Sequence, residues 1–145
     1  MLSMKPGKST REAFGLALAQ LGETNPDIVV VDGDVGNSTR TEIFGKKFPT
    51  RFFNVGIAES NLVGVAAGLA SSGHRAWLAS FATFVMCNAY DQLRMSVAFP
   101  NLDVKVVGTH AGISIGEDGP SQMGIEDVGL ACSLPNFTVV VPADE

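Results

Sequence analysis

The sequence is poor in the residues from which several classes of function are built. It holds only two cysteines, Cys87 and Cys132, and two histidines, His74 and His110. Two cysteines give neither zinc-ligand spacing nor a disulfide framework, and they suit a reducing, cytoplasmic setting. Two separated histidines are too few for a His-based metal site. Positive charge is also scarce. Ten Lys and Arg stand against fifteen Asp and Glu, for a formal net charge of −5, and no Lys/Arg run exists. That argues against nucleic acid or an anionic membrane surface as a partner. No apolar run is long enough to span a bilayer. The opening Met-Leu-Ser-Met-Lys-Pro-Gly-Lys lacks the apolar centre of a signal peptide. There is no P-loop, no G-x-G-x-x-G after the first strand, no G-x-S-x-G and no H-E-x-x-H. Asp32-Gly-Asp34 opens like a calcium loop, but no Glu closes it at the required spacing.

What is present is a globular composition. The chain has 145 residues, 46% of them hydrophobic, enough for one domain with a core. Ser9 or Thr10 caps a first helix with Glu12 in its opening turn, ended by Gly22 and Asn25-Pro26. Residues 28–31 are a fully apolar, β-branched strand, followed by a polar loop over 32–38 and a short helix that closes near Phe48-Pro49. Further strands are predicted over 51–54, 74–79, 104–109 and 138–141. Helices are predicted over 58–72, 85–99 and 126–133, with exit loops over 80–84 and 110–120. Strict alternation with short connections predicts an α/β layer fold with a mainly parallel sheet and right-handed crossovers.

The chain is organised around residues 51–70. After the strand, Val55 and Gly56 turn the chain into a helix that is apolar nearly all round, so it is buried on more than one side. Gly64 and Gly68 leave a smooth stripe for close approach of another backbone. Glu59 stands alone in the first turn. It either complements the positive end of the helix dipole or moves a proton in a dry site. In a parallel sheet, ligands bind outside the carboxyl ends of the strands. Here those ends carry Asp32 and Asp34, Gly56 to Glu59, Ser80 to Phe84 and His110 to Asp118. The polar and glycine-rich segments therefore fall on one edge, where a site is expected.

Three stretches at that edge resemble the pyrimidine-binding domain of transketolase, a thiamine diphosphate enzyme. Val55-Gly-Ile-Ala-Glu59-Ser-Asn resembles its catalytic glutamate segment. Phe81-Ala-Thr-Phe84, followed by Tyr90-Asp-Gln-Leu-Arg94, resembles its aromatic pocket. Gly112-Ile-Ser-Ile-Gly-Glu-Asp118-Gly-Pro-Ser-Gln122-Met is similar to its substrate loop. The resemblance runs from Arg11 to Asp144 and implies a three-layer α/β/α thiamine-diphosphate-binding fold, one pyrimidine-binding domain over residues 1–145.

It also implies roles. Glu59 stands against N1′ of the aminopyrimidine and exchanges a proton there, which leads to loss of the proton at C2 of the thiazolium. Phe84 stacks on the aminopyrimidine, with Phe81, Tyr90 and Cys87 as pocket neighbours and Asp34 lining the cofactor site. For Phe81 and Tyr90, plain core packing weighs equally. Asp32 is read as a loop-stabilising Asx turn. Arg11, Ser38 and His110 match phosphate-channel positions, and Asp118 matches a contact to a sugar hydroxyl. Their plainer readings are a solvated helix arginine, a turn serine and a strand-end histidine. Gln122 departs from relatives that carry histidine there. It can hydrogen-bond a sugar but takes no proton at neutral pH.

The diphosphate and Mg²⁺ part, a Gly-Asp-Gly segment followed by asparagine, is not visible. The expectation is therefore the N-terminal part of the C-terminal subunit of a split transketolase, continuing beyond Glu145. It would be inactive alone and assembled with a diphosphate-binding subunit into an oligomer, with sugar phosphates as substrates. Two rivals stay open on sequence grounds. One is a 1-deoxy-xylulose-5-phosphate synthase or 2-oxo acid dehydrogenase β chain; the other is a folded assembly module without catalysis.

Overall fold

The structure, a computed structural model, describes residues 7–145. The stretch read for a signal peptide lies largely outside these residues. A first helix, α1 (Thr10–Thr24), is capped by Ser9, whose Oγ accepts from the Glu12 N–H at 3.4 Å. Strand β1 (Ile28–Asp32) leads into two short helices, α2 (Gly36–Thr39) and α3 (Glu42–Lys47). Arg40 separates them with a left-handed φ of 69°. Strand β2 (Phe52–Asn54) and helix α4 (Glu59–Ser71) follow, then strand β3 (Arg75–Phe81). Next come helix α5 (Ala82–Asn88), a helical turn α6 (Tyr90–Gln92) and a π-helical turn, Leu93–Ala98. Strand β4 (Val104–Thr109) and helix α7 (Asp127–Ser133) complete the regular elements.

All the strands pair in parallel, in the order β2-β1-β3-β4. The chain builds outward from β1 to one side, then returns to the other, so the order reverses between β1 and β3. Alternation along β1 divides the core. Ile28 and Val30 face Leu18 of α1 and Phe44 of α3, with Phe14, Phe48, Phe52 and Trp77 around them. Val29 and Val31 face Leu62, Val63 and Ala66 of α4, with Leu78, Val85 and Leu93. Helices thus cover both faces of the sheet, which is why β1 is apolar at four consecutive positions.

Four expectations are corrected. Residues 138–141 form no strand among the described residues, and β4 is left at the sheet edge. Their β-branched run is suited to a strand, but strand formation depends on packing against neighbours, and Val140 and Val141 are 76% and 67% exposed. No exit loop spans 80–84. Ser80 and Phe81 close β3, and Phe81 caps α5 directly, so the helix starts at Ala82. That start is tight: a Cβ on Gly108 would meet the Ala82 backbone at 2.9 Å. The helix predicted over 85–99 is also not continuous. It breaks at Ala89 (φ −119°, ψ 17°) before resuming. Nor does Gly22 end α1, which runs on to Thr24; a Cβ there would strike the Phe44 and Phe48 rings at 2.7 Å. No helix of the described residues is long and apolar enough to cross a membrane.

Candidate functional site

Reversal of strand order between β1 and β3 opens the crevice where parallel α/β sheets take ligands. The residues at its rim are held by identifiable contacts. Asp32, ending β1 and 1% exposed, accepts from the Val35 N–H at 2.9 Å, the Thr41 hydroxyl at 2.6 Å and the Thr39 hydroxyl at 3.2 Å. It fixes the loop into α2 and has no free face for a ligand. Asp34 follows with a left-handed φ of 66° and is exposed. Its Oδ1 accepts from Asn54 Nδ2 at 2.8 Å, and Asn54 Oδ1 accepts from the Gly56 N–H at 2.9 Å. Asn54 therefore ties the loop after β1 to the turn before α4.

That turn delivers Glu59 to the first position of α4, where it is 9% exposed. Oε2 of Glu59 accepts from Asn88 Nδ2 at 3.4 Å. At the junction of β3 and α5, Phe81 and Phe84 lie nearly parallel, 12° apart with centroids separated by 5.5 Å. Phe81 also meets the His110 ring at 4.3 Å. An aromatic wall of two stacked rings, Phe81 buried and Phe84 half-buried, thus stands at the carboxyl end of β3.

Beside that wall, Arg11, Ser38, Phe81, His110 and Asp118 line one open groove of about 1480 Å³. Arg11 Nη1 donates to the Ser38 carbonyl at 3.2 Å and lies 3.1 Å from His110 Nε2. A guanidinium only donates, so Nε2 accepts and the imidazole proton sits on Nδ1. Nδ1 then donates to Thr109 Oγ1, 2.9 Å away. His110 is accordingly neutral, and its pKa is lowered, first by burial and then by the Arg11 charge, with Asp118 acting the opposite way. Its φ of 57° is an uncommon conformation for a non-glycine residue.

The other predicted residues are more scattered. The Cys87 thiol is exposed and donates to Glu126 Oε1 at 3.4 Å. Partial desolvation and that carboxylate raise its pKa, so it stays a thiol. Tyr90 turns its hydroxyl to Ser133 Oγ of α7, 2.5 Å away, and packs its ring on the core. Gln122 closes a short 3-10 turn, Pro120–Gln122, on the loop between β4 and α7. Gly64 and Gly68 have no atom within 4 Å of an added Cβ, so the stripe on α4 is open. Sequence reasoning missed Asn54, Asn88 and Glu126. An Asn two residues before a turn glycine was a usable signal for the first. Asn88 lay inside what reads as a continuous helix and gave none.

Comparison with known proteins identifies the family and the fold. The family model for the transketolase pyrimidine-binding domain matches residues 7–145. A Methanocaldococcus jannaschii protein provisionally named as a transketolase C-terminal section is 44% identical over 94% of this chain and 43% of its own length. Transketolase-like protein 2 of Mus musculus is 49% identical over 94% of this chain and 22% of its own. A solved split-gene transketolase, described as an inactive β4 tetramer, is 50% identical with a TM-score of 0.83, covering 96% of this chain and 44% of that one. The chain thus spans less than half the length of these relatives. It belongs to the transketolase family, through its pyrimidine-binding domain.

Proposed function

We propose that this chain supplies the aminopyrimidine side of a thiamine-diphosphate-dependent transketolase that moves a two-carbon ketol unit between sugar phosphates in the cytoplasm. Its residues fit a flat heterocycle bearing a ring nitrogen. The parallel Phe81–Phe84 pair offers a stacking face, and Glu59 offers a largely buried carboxyl at the mouth of α4. Thiamine diphosphate, when bound, supplies the carbon nucleophile that opens a bond beside a carbonyl. Glu59 holds or releases a proton at the ring nitrogen N1′. Phe84 fixes the ring plane, with Phe81, Tyr90, Cys87 and Asp34 as its surroundings. Arg11 and Ser38 take a substrate phosphate with His110 in the same channel, Gln122 orients the sugar, and Asp118 accepts from one of its hydroxyls.

The observation that carries this reading is the single groove shared by Arg11, Ser38, His110 and Asp118 beside the aromatic wall. Among the described residues no three metal-ligating side chains gather. We assign Mg²⁺ and the diphosphate to a partner subunit, and residues 1–145 to one pyrimidine-binding domain. The inactivity of the similar β tetramer supports the reading that this chain does not catalyse alone.

The test is to co-produce the full chain with its diphosphate-binding subunit, titrate thiamine diphosphate and Mg²⁺, and assay two-carbon transfer from a ketose phosphate. Activity should require both chains and collapse in Glu59→Gln. Cofactor binding without transfer would remove the substrate assignment, and pyruvate decarboxylation in its place would point to another thiamine enzyme.

A further inference from the structure

The break in the helix after Phe84 has a local consequence at Glu59. At Ala89 the backbone leaves helical geometry, and the chain resumes as a short turn and then a π-helical turn. Interruptions and π-turns of this kind recur at functional sites. Ala89 is fully buried, so the break is pinned against the core. Asn88 is the last residue of α5, where carbonyls lack intrahelical N–H donors. Its carbonyl accepts from Ser60 Oγ at 3.1 Å, and its side-chain Nδ2 donates to Glu59 Oε2 at 3.4 Å. One residue thus grips two successive residues of the first turn of α4, one of them through the carboxyl group.

We propose that Asn88 is the positioning residue for the Glu59 carboxyl. Its amide holds Oε2, which sets the orientation of the carboxyl and leaves Oε1 for the ring nitrogen. Ser60 holds the Asn88 backbone in place. The α5–α6 break is the device that aims both groups of Asn88 at α4. Asn88 itself takes no proton. This inference rests on the proposed role of Glu59.

The test uses the full chain assembled with its diphosphate-binding subunit, as wild type, Asn88→Ala, the near-isosteric and uncharged Asn88→Leu, and Glu59→Gln. Three quantities are measured: the Glu59 side-chain conformation in cofactor-free crystals, thiamine diphosphate affinity by calorimetry, and the rate of C2 proton exchange of the bound cofactor by NMR. Glu59→Gln should abolish exchange. Both Asn88 variants should slow it by roughly three- to tenfold, as expected for loss of one hydrogen bond, with affinity held within about twofold. Asn88→Ala should also spread Glu59 over more than one rotamer. A purely structural Asn88 would be replaced by the uncharged Leu without effect on exchange, because shape is largely kept and only the polar amide is lost. Wild-type exchange in both variants, with Glu59→Gln inactive, would overturn this inference and leave the role of Glu59 intact. Undiminished exchange in Glu59→Gln would overturn that role and this inference with it.

Discussion

Arg11 Nη1 and His110 Nε2 lie 3.1 Å apart, joining the first helix to the end of the last strand of the sheet. The contact fixes the imidazole tautomer and places a permanent positive charge beside it. Burial and that charge lower the His110 pKa. As pH falls through the ordinary histidine value of about 6.5, the unfolded chain takes up a proton that the folded chain refuses. The stability tied to His110 is therefore complete above that value and is lost as pH falls below it towards the lowered, folded pKa. Arg11→Met should raise the imidazole midpoint in an NMR pH titration of the full chain. An unmoved midpoint would contradict the contact.

The aromatic wall gives a second prediction. If Phe84 stacks on the aminopyrimidine, Phe84→Ala should weaken thiamine diphosphate binding about tenfold, the scale of one heterocycle–aromatic stack. Phe84→Tyr keeps the ring and should bind within about threefold of wild type. Calorimetry on the assembled enzyme reads both. Equal binding by the alanine variant would return Phe84 to core packing against Phe81.

The sheet was largely legible in the sequence because burial on both faces leaves a plain mark. Ile28 to Val31 is apolar throughout, and residues 104–109 were predicted with the bounds that β4 has. Residues 138–141 carry the same mark, yet no strand forms there, because composition records suitability and not the presence of a packed neighbour. The edge of the site was legible through topology, since strand ends collect ligand residues whatever the detail. The links between residues were not. Arg11 meets His110 across 99 positions and Glu59 meets Asn88 across 29, separations on which local periodicity is silent. The break at Ala89 was equally hidden, because alanine is the best helix former. Only tertiary packing of this buried residue shows where the helix gives way.

Asp32 separates architecture from chemistry within the same loop. Its carboxylate serves one backbone N–H and two buried hydroxyls. Asp32→Ala leaves those donors unpaired in the interior and should cost about 3 kcal/mol. Thr41→Val removes one donor and should cost about 1 kcal/mol. Denaturant unfolding of the full chain reads both losses. Cofactor affinity per folded molecule should stay near wild type in Thr41→Val, as expected of a loop support that does not face the ligand.

Arg51 anchors the opposite end of the sheet. Its Nη2 donates to the Gly22 carbonyl at 2.9 Å, and its Nη1 reaches the carbonyls of Asn25 at 3.0 Å and Pro26 at 3.2 Å. The same guanidinium lies 4.0 Å from the centroid of Phe48. One planar fork thus closes the C-terminal end of α1, supports the turn into β1 and stacks on the aromatic cluster beneath α3. A cation beside unpaired helix carbonyls is also favoured by the helix dipole. Lysine keeps the charge, but as a compact ammonium it has neither the flat face nor the spread of donors. Arg51→Lys should therefore cost about 2 kcal/mol, and Arg51→Met somewhat more, since it leaves the carbonyls without a charged donor. Thermal unfolding of the full chain measures the loss. If lysine matched wild type, charge alone would account for Arg51, and the fork geometry would carry no weight in holding α1 to the sheet.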